Sequence, residues 1–450
     1  MKTLKTLLTS VAALAAAAAS AQMPVIQTEY TADPAPMVHN DTVFLYTTHD
    51  EDDADGFKMK DWLLYTSTDM VNWTNHGAVA SLRSFNKWYH KDNGAWAEQV
   101  IYRNGKFYMY CPIHGNGIGV LVSDSPYGPF VDPLGEPLVW QKEHWYDIDP
   151  TVWIDDDGQA YMYWGNPNLY EVRLNEDMIS YSGEIKQHPK IKDYQEGPWF
   201  WKRNGHYYLA FASTCCPEGI GYAMSDGPEG PWEYKGHIMD HTPKTRGNHP
   251  GIIDYKGNSY VFGLNYDLLR LQMPEHHERR SVSVAPLHYN VDGTIKESPY
   301  FKETRVKPVG TFDPFQKVQA ETMAWGWGLK TGVLSLVKDS KTYDRNNLYV
   351  CNIDEGETLT LRNVDFGKGA SSFTASVASM NEGGVIEIHL NNANGPLVGV
   401  CEVPYTENLD TYKTATCSLK NCKGTHDLVF KFVGRAHKDL FRWDWWTMTK

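Results

Sequence analysis

An all-β fold in two parts is predicted, a five-bladed β-propeller followed by a β-sandwich of the jelly-roll kind. Three features carry it: one strand pattern repeated five times, hairpin turns at matching places in each copy, and a change of texture after residue 308. The pattern is a turn residue followed by alternating aromatic and aliphatic residues. It occurs at Asp41 to Tyr46 (DTVFLY), Gly105 to Tyr110 (GKFYMY), Gly158 to Tyr163 (GQAYMY), Gly205 to Ala210 (GHYYLA) and Gly257 to Phe262 (GNSYVF). Successive copies start 64, 53, 47 and 52 residues apart, each room enough for a four-stranded unit.

Residues 1–21 precede the repeats. Lys2 and Lys5 stand before an apolar run from Leu7 to Ala19, and Ala19-Ser20-Ala21 is the small-residue pattern of a cleavage site. This predicts a signal peptide and an exported protein, periplasmic or extracellular, starting at Gln22. Loss of the two lysines takes the net charge from −13 to −15. Such a balance argues against nucleic acid, whose phosphates are bound by basic patches. No later stretch is apolar for the roughly 20 residues a membrane helix needs, so no membrane partner is expected.

Residues 22–308 hold the five units. An apolar strand precedes each copy and ends in a turn such as Arg103-Asn104-Gly105, Asp156-Asp157-Gly158 or Arg203-Asn204-Gly205, which are hairpin signals. GIGVLVSDSPYGPF from Gly117 matches GIGYAMSDGPEGPW from Gly219 and marks later strands of the same unit. An irregular sandwich of similar strand content is the alternative.

In a propeller the first strand of each blade lines the axis, so equivalent positions converge. Counting back eight or nine residues from each hairpin turn gives Asp33, Trp96 or Ala97, Asp149, Glu196, and Asn248 or His249. Prolines follow closely at Pro34, Pro150, Pro198 and Pro250, holding the strand start extended. Acids gathered at one axis repel and raise one another's pKa, a cost accepted mainly at functional sites. One carboxylic acid to protonate a leaving oxygen and one carboxylate to activate water are what glycosidic hydrolysis requires. A third can tune the acid. Calcium ligation or solvated loop acids are the alternatives.

With these residues in view, 24–308 resembles glycoside hydrolase family 43. The matching segments are YTADPAPM around Asp33, YDIDPTVWIDDDGQAYMYWG around Asp149, YQEGPWFWKRNGHYYL around Glu196 and RRSVSVAPLHYNVDGTI from Arg279. The resemblance implies Asp33 as general base, Asp149 as pKa modulator and Glu196 as general acid, with inversion. It further implies that His249 sits at the axis, where such a histidine often holds water around calcium, that Arg280 reaches the sugar, and that Trp96 packs against it. Glu98 stands where the family's W-A-P segment has proline. Within the family the likeness is to α-L-arabinofuranosidases and β-xylosidases acting on arabinoxylan.

Residues 309–450 change to short alternating strands such as EGETLTLRNVDF, GGVIEIHLN and HDLVFKFVG. Through VQAETMAWGWG and DLFRWDWWTM this region resembles carbohydrate-binding module family 6. That resemblance implies a structural calcium held by Gln319, Glu321 and Asp444, oxygen donors as calcium prefers, and a sugar-stacking pair at Tyr343 and Tyr412. Trp443, Trp445 and Trp446 are expected in the core or an interface. Arg435-Ala436-His437-Lys438 departs from the family's asparagine-bearing loop. Of seven cysteines none has metal-ligand spacing. Cys417 and Cys422 are placed to staple a short turn and Cys215-Cys216 to form a vicinal disulfide, with free thiols the alternative for each pair.

The expected activity is an exo-acting α-L-arabinofuranosidase on plant cell-wall arabinoxylan or arabinan, needing no organic cofactor. A β-D-xylosidase, an endo-arabinanase and a non-catalytic carbohydrate-binding protein are the alternatives. The loops at Leu82 to Gly94 and around Cys215 are expected to shape the opening.

Overall fold

The computed structural model describes residues 24–241, 248–335, 347–380 and 384–450; the leader predicted at 1–21 lies outside them. Five antiparallel sheets follow one another along the first 300 residues. The first contains β1 (Tyr30–His39), β2 (Thr42–Asp50), β3 (Asp61–Ser67) and β4 (Trp73–Ser81). The second has three strands, β5 (Gln99–Arg103), β6 (Lys106–Pro112) and β7 (Ile118–Ser123). Where a fourth strand was expected, residues 131–139 touch β7 only through bridges at Val131 and Val139. Pro129, Pro133 and Pro137 remove the donors that a continuous ladder there would need. The third sheet has β8 (Thr151–Ile154), β9 (Ala160–Trp164), β10 (Tyr170–Leu174) and β11 (Tyr181–Gln187). The fourth has β12 (Tyr194–Arg203), β13 (His206–Ser213), β14 (Gly219–Ser225) and β15 (Glu233–Met239). The fifth has β16 (Gly251–Tyr255), β17 (Asn258–Asn265), β18 (Ser281–Tyr289) and β19 (Ile295–Lys296).

The repeated sequence pattern is the second strand of each sheet. Its residues are buried on both faces, as in Tyr207 to Ser213, because each sheet is sandwiched between its neighbours. Thus Phe44 and Tyr46 pack toward Val100 and Met109 of the second sheet, while Val43 and Leu45 pack toward Phe262 and Val284 of the fifth. The turn before it closes tightly, with Asn204 and Gly205 both at positive φ (50° and 83°). The first strands touch in cyclic order: β1 meets β5, β5 meets β8, β8 meets β12, β12 meets β16, and β16 returns to β1.

The C-terminal region adds β20 (Val318–Gln319), β21 (Thr322–Met323), β22 (Lys330–Ser335), β23 (Asn347–Cys351), β24 (Thr358–Asp365) and β25 (Ala370–Ala378). It continues with β26 (Val385–Leu390), β27 (Leu397–Glu402), β28 (Lys413–Cys422), β29 (Thr425–Val433) and β30 (Arg442–Thr449). One sheet runs β22-β23-β30-β25-β28 with β20 against β30, and the other runs β24-β29-β26-β27. Phe373, Phe430, Trp443 and Trp446 pack ring against ring between them.

β21 leaves this sandwich and pairs with β4, Thr322 opposite Thr74 and Met323 opposite Trp73, as a fifth strand of the first sheet. Around it, the Asn72 side chain donates to the Arg362 carbonyl at 2.9 Å and accepts from the Arg362 amide at 2.8 Å. Cys215 and Cys216 are disulfide-bonded, whereas Cys417 and Cys422 are free thiols. Both of the latter lie on β28, five residues apart along an extended strand, which separates them by well over the roughly 7 Å between Cα atoms that a disulfide can span, so no staple forms.

Candidate active site

Asp33 sits in a bulge of β1. Ala32 opposes Thr48 and Ala35 opposes Tyr46, so Asp33 and Pro34 together face one residue of β2. Asp33 takes φ 49° and Asp149, just before β8, takes φ 58°, a left-handed backbone that costs L-residues on the order of 1–2 kcal/mol. Such conformations persist where a site needs a side chain aimed. The bulge of β12 is the same: Glu196 opposes Ala212 and Trp199 opposes Ala210, leaving Gly197 and Pro198 between. The residue matched to Asp33 is therefore Gly197 (φ 59°), and Glu196 matches Ala32. This corrects the sequence count, whose spread of eight or nine residues hid the one-residue offset. Gly197 is required, since a Cβ there would meet the His249 ring at 2.7 Å.

The three acids and His249 do converge. His249 Nδ1 lies 3.4 Å from Asp33 Oδ1, and its Nε2 lies 3.7 Å from both Asp149 Oδ2 and Glu196 Oε1. Burial opposes the imidazolium, but Asp149, Asp33 and Glu196 outweigh it and push the His249 pKa up to about 10. Burial pushes Asp149 up to about 7; His249 draws it down, while Glu196 and Asp33 raise it further. The Gly197 amide donates to Asp149 Oδ2 at 3.2 Å. Thr48 Oγ1 donates to Asp33 Oδ2 at 2.8 Å, and Arg280 Nη1 to Asp33 Oδ1 at 3.1 Å. Asn166 Nδ2 donates to Glu196 Oε2 and is itself fixed by Gln195 Nε2 at 3.0 Å.

Arg280, 3% exposed, is held by Asp50 at 2.9 Å through both Nε and Nη2. Burial opposes its charge, but Asp33 and Asp50 keep the guanidinium protonated. Most of its N–H groups are thus committed to protein, leaving little beyond one Nη1–H for a ligand.

Above these groups opens a pocket of about 170 Å³ lined by Phe57, Met59, Trp96, Trp145, Ile148 and Arg280, with Asp33, Asp149, Glu196 and His249 at its floor. Trp96 stacks on His114 at 3.9 Å, and Trp145 meets both rings edge-on. Phe57, Met59, Trp145, Asp50 and Asn166 were not singled out from sequence. Asp50 alone carried a signal, as an acid at the end of a largely buried strand and hence a partner for a buried arginine. The loop from Leu82 to Gly94 does not line the pocket; Phe85 and Tyr89 pack inward. Nor does the Cys215 loop. The walls come instead from 51–60 and 140–148.

On the axis beneath lies a second cavity, of about 20 Å³, bounded by Asp33, Asp149, His249, Glu98 and the four strand-start prolines. Glu98 is 4% exposed, and among the described residues neither carboxylate oxygen has a hydrogen-bond partner; burial raises its pKa well above the usual range, which favours the neutral form. The Asp149, Glu196 and His249 atoms lie within 4.8 Å of one another, a grouping able to hold a cation. His249 as a protonated ring already supplies that charge.

In the sandwich, Gln319 Oε1 and Glu321 Oε2 are buried with no hydrogen-bond partner among the described residues, and Asp444 raises the Glu321 pKa further beyond the large effect of burial. Asp444 accepts from Asn347 at 3.2 Å and Ser376 at 3.3 Å. Two buried carboxylates beside an orphaned amide oxygen fit a hard divalent cation. Tyr412 is half-buried with its hydroxyl enclosed, and Tyr343 lies outside the described residues, so no stacking pair is visible among the latter. Trp443 and Trp446 are core residues.

The profile of glycosyl hydrolases family 43 matches residues 21–295, and that of carbohydrate binding module family 6 matches 319–450. An arabinoxylan arabinofuranohydrolase of Paenibacillus polymyxa is 31% identical over 95% of this chain and 74% of its own length. A xylosidase/arabinosidase of Bacteroides ovatus is 31% identical over 60% of this chain and 95% of its own. The crystal structure of a family 43 arabinoxylan arabinofuranohydrolase from Bacillus subtilis, in complex with cellotetraose, superposes with a TM-score of 0.83 at 29% identity, covering 96% of this chain and 98% of that one.

Proposed function

The chain belongs to glycosyl hydrolases family 43, carries a family 6 carbohydrate-binding module and hydrolyses glycosidic bonds; on that premise we propose that it is an exported, inverting, exo-acting α-L-arabinofuranosidase that strips side chains from arabinoxylan. The observation carrying this reading is the pocket. Its volume of about 170 Å³ suits one sugar ring and not a chain segment, and Phe57 and Trp145 wall it where an endo-acting cleft would run open. The arabinoxylan arabinofuranohydrolase relative is matched over 95% of this chain, whereas the xylosidase/arabinosidase relative is matched over 60% of it. The five sheets with touching first strands are read as the blades of a propeller, and the C-terminal pair of sheets as a jelly roll, with 22–308 and 309–450 as the domains.

Asp33, held by Arg280 and Thr48, takes the proton of the attacking water. Glu196, the most exposed of the three acids at 18%, gives its proton to the leaving oxygen. Asp149 and His249 stand between them and set the charge that Glu196 feels. The imidazole ring lies between the Asp33 and Glu196 carboxylates, which supports the separation of about 6.5–9.5 Å that inverting enzymes use to admit water. Arg280 and Trp96 contact the sugar. Calcium is assigned to Gln319, Glu321 and Asp444, where it would neutralise buried carboxylates, and not to His249. The test is release of 4-nitrophenol from its α-L-arabinofuranoside and β-D-xylopyranoside by wild type and Asp33→Asn. Arabinoside hydrolysis lost in the variant supports the reading; preference for the xyloside would make the enzyme a β-D-xylosidase.

A further inference from the structure

β12 and β16 start beside the catalytic pocket, next to Glu196 and His249, and run away from it to Arg203 and Tyr255. At about 3.3 Å per residue, Arg203 lies roughly 20 Å along the strand from Glu196. At this far end the hairpin turns of the fourth and fifth sheets and the segment 305–309 enclose a groove of about 1050 Å³. Arg203, Lys256, Lys296, Arg305 and Lys307 line it, and no Asp or Glu does, in a chain whose net charge is −13. Arg203 is pinned, 3.4 Å from Asp254 and over the Tyr289 ring at 4.1 Å; Lys256 is pinned to Asp41 at 3.3 Å. Lys296 and Lys307 are exposed, and among the described residues their ammonium groups have no hydrogen-bond or ion-pair partner. Lys296 and Lys307, left without such partners, add uncompensated positive charge to the groove, which a bound polyanion would offset.

We propose that this groove is a second glycan-binding site, selective for carboxylate-bearing stretches of xylan such as those substituted with uronic acid. It rests on the reading of the substrate as a xylan. Binding there would anchor the enzyme on a charged stretch of polymer and leave the catalytic pocket free to face another chain.

The test compares wild type with Lys296→Glu/Lys307→Glu, full-length, by affinity electrophoresis and calorimetry on glucuronoxylan, neutral arabinoxylan and inorganic polyphosphate. Wild type is expected to bind glucuronoxylan about tenfold more tightly than neutral arabinoxylan at low salt, an advantage that the double variant and added salt both erase. Equal affinity for the two xylans, an unchanged double variant, or equally tight binding of polyphosphate would overturn the proposal. Hydrolysis of 4-nitrophenyl α-L-arabinofuranoside, measured in parallel, should be the same in both proteins and reports that the variant is folded. Failure of that hydrolysis in wild type would count against the catalytic reading alone, because the groove is judged by binding.

Discussion

Glu196 and Asp33 differ in what holds them, and the difference bears on the roles proposed for them. Asp33 is fixed by a hydroxyl and a buried guanidinium, whereas Glu196 accepts from the Asn166 amide and is the acid most open to the pocket. Replacing Glu196 with Gln removes the proton while keeping the amide contact within reach. Turnover should fall on the order of 10²–10⁴-fold on arabinoxylan, whose leaving oxygen needs protonation, and far less on aryl arabinosides. Equal losses on both substrates would remove Glu196 from the role. His249 makes a prediction of its own. Its pKa is pushed up to about 10 from 6.5, so its contribution to stability is complete below the unfolded value and is lost as pH rises through the folded one. Asp149, raised to about 7, releases its native proton lower down and adds to the same trend only below that pH. Between about pH 7 and 10 the melting temperature should therefore fall, and in His249→Gln the fall over this window should flatten.

Strands and loops were legible to different degrees. The second strand of each sheet was visible because burial on both faces forces a continuous aromatic and aliphatic run. The first strands were visible through their prolines, but the bulge that sets Gly197 opposite Asp33's position leaves no mark in residue spacing. Phe57 and Trp145 lie in loops with no periodicity, where an aromatic residue can as well be core as pocket, and the same ambiguity misplaced the segment at Leu82 to Gly94. β21 is two residues long and carries no pattern at all. The short strand β20 pairs with the last strand β30, Gln319 opposite Trp445, and the Ala320 amide donates to the Asp444 carbonyl, with Glu321 next along the chain. A cation there should bind the folded state alone. Calcium at about a hundredfold over its dissociation constant would add about 2.7 kcal/mol of stability. Chelation is thus expected to lower the melting temperature of wild type, readdition to restore it, and Glu321→Gln to abolish the response. A melting curve indifferent to both would leave the Glu321 carboxyl as a buried neutral acid.

At the scale of the whole molecule, the sandwich is joined to the first sheet as part of the fold. β21 covers the edge of β4, the Asn72 side chain closes two hydrogen bonds with the Arg362 backbone, and Thr331 donates to Glu29, which also receives Tyr65 and Asn75. Lys330 reaches Asp52 at 2.8 Å, in the loop that carries Phe57 to the pocket wall. Removing 309–450 would bare the β4 edge, a row of unpaired backbone groups that templates association, and strand the Glu29 carboxylate without Thr331. It would also release the Asp52 loop. The truncated chain 22–308 is therefore expected to melt lower than the full protein, to aggregate on purification, and to show a raised KM on aryl arabinoside through the loosened Phe57 wall. The intact protein should unfold in one calorimetric transition, since two regions that share a sheet lose it together. Two separate transitions, with a truncated chain as stable and active as the whole, would show instead that β21 and its hydrogen bonds couple nothing and that the module merely rides on the enzyme.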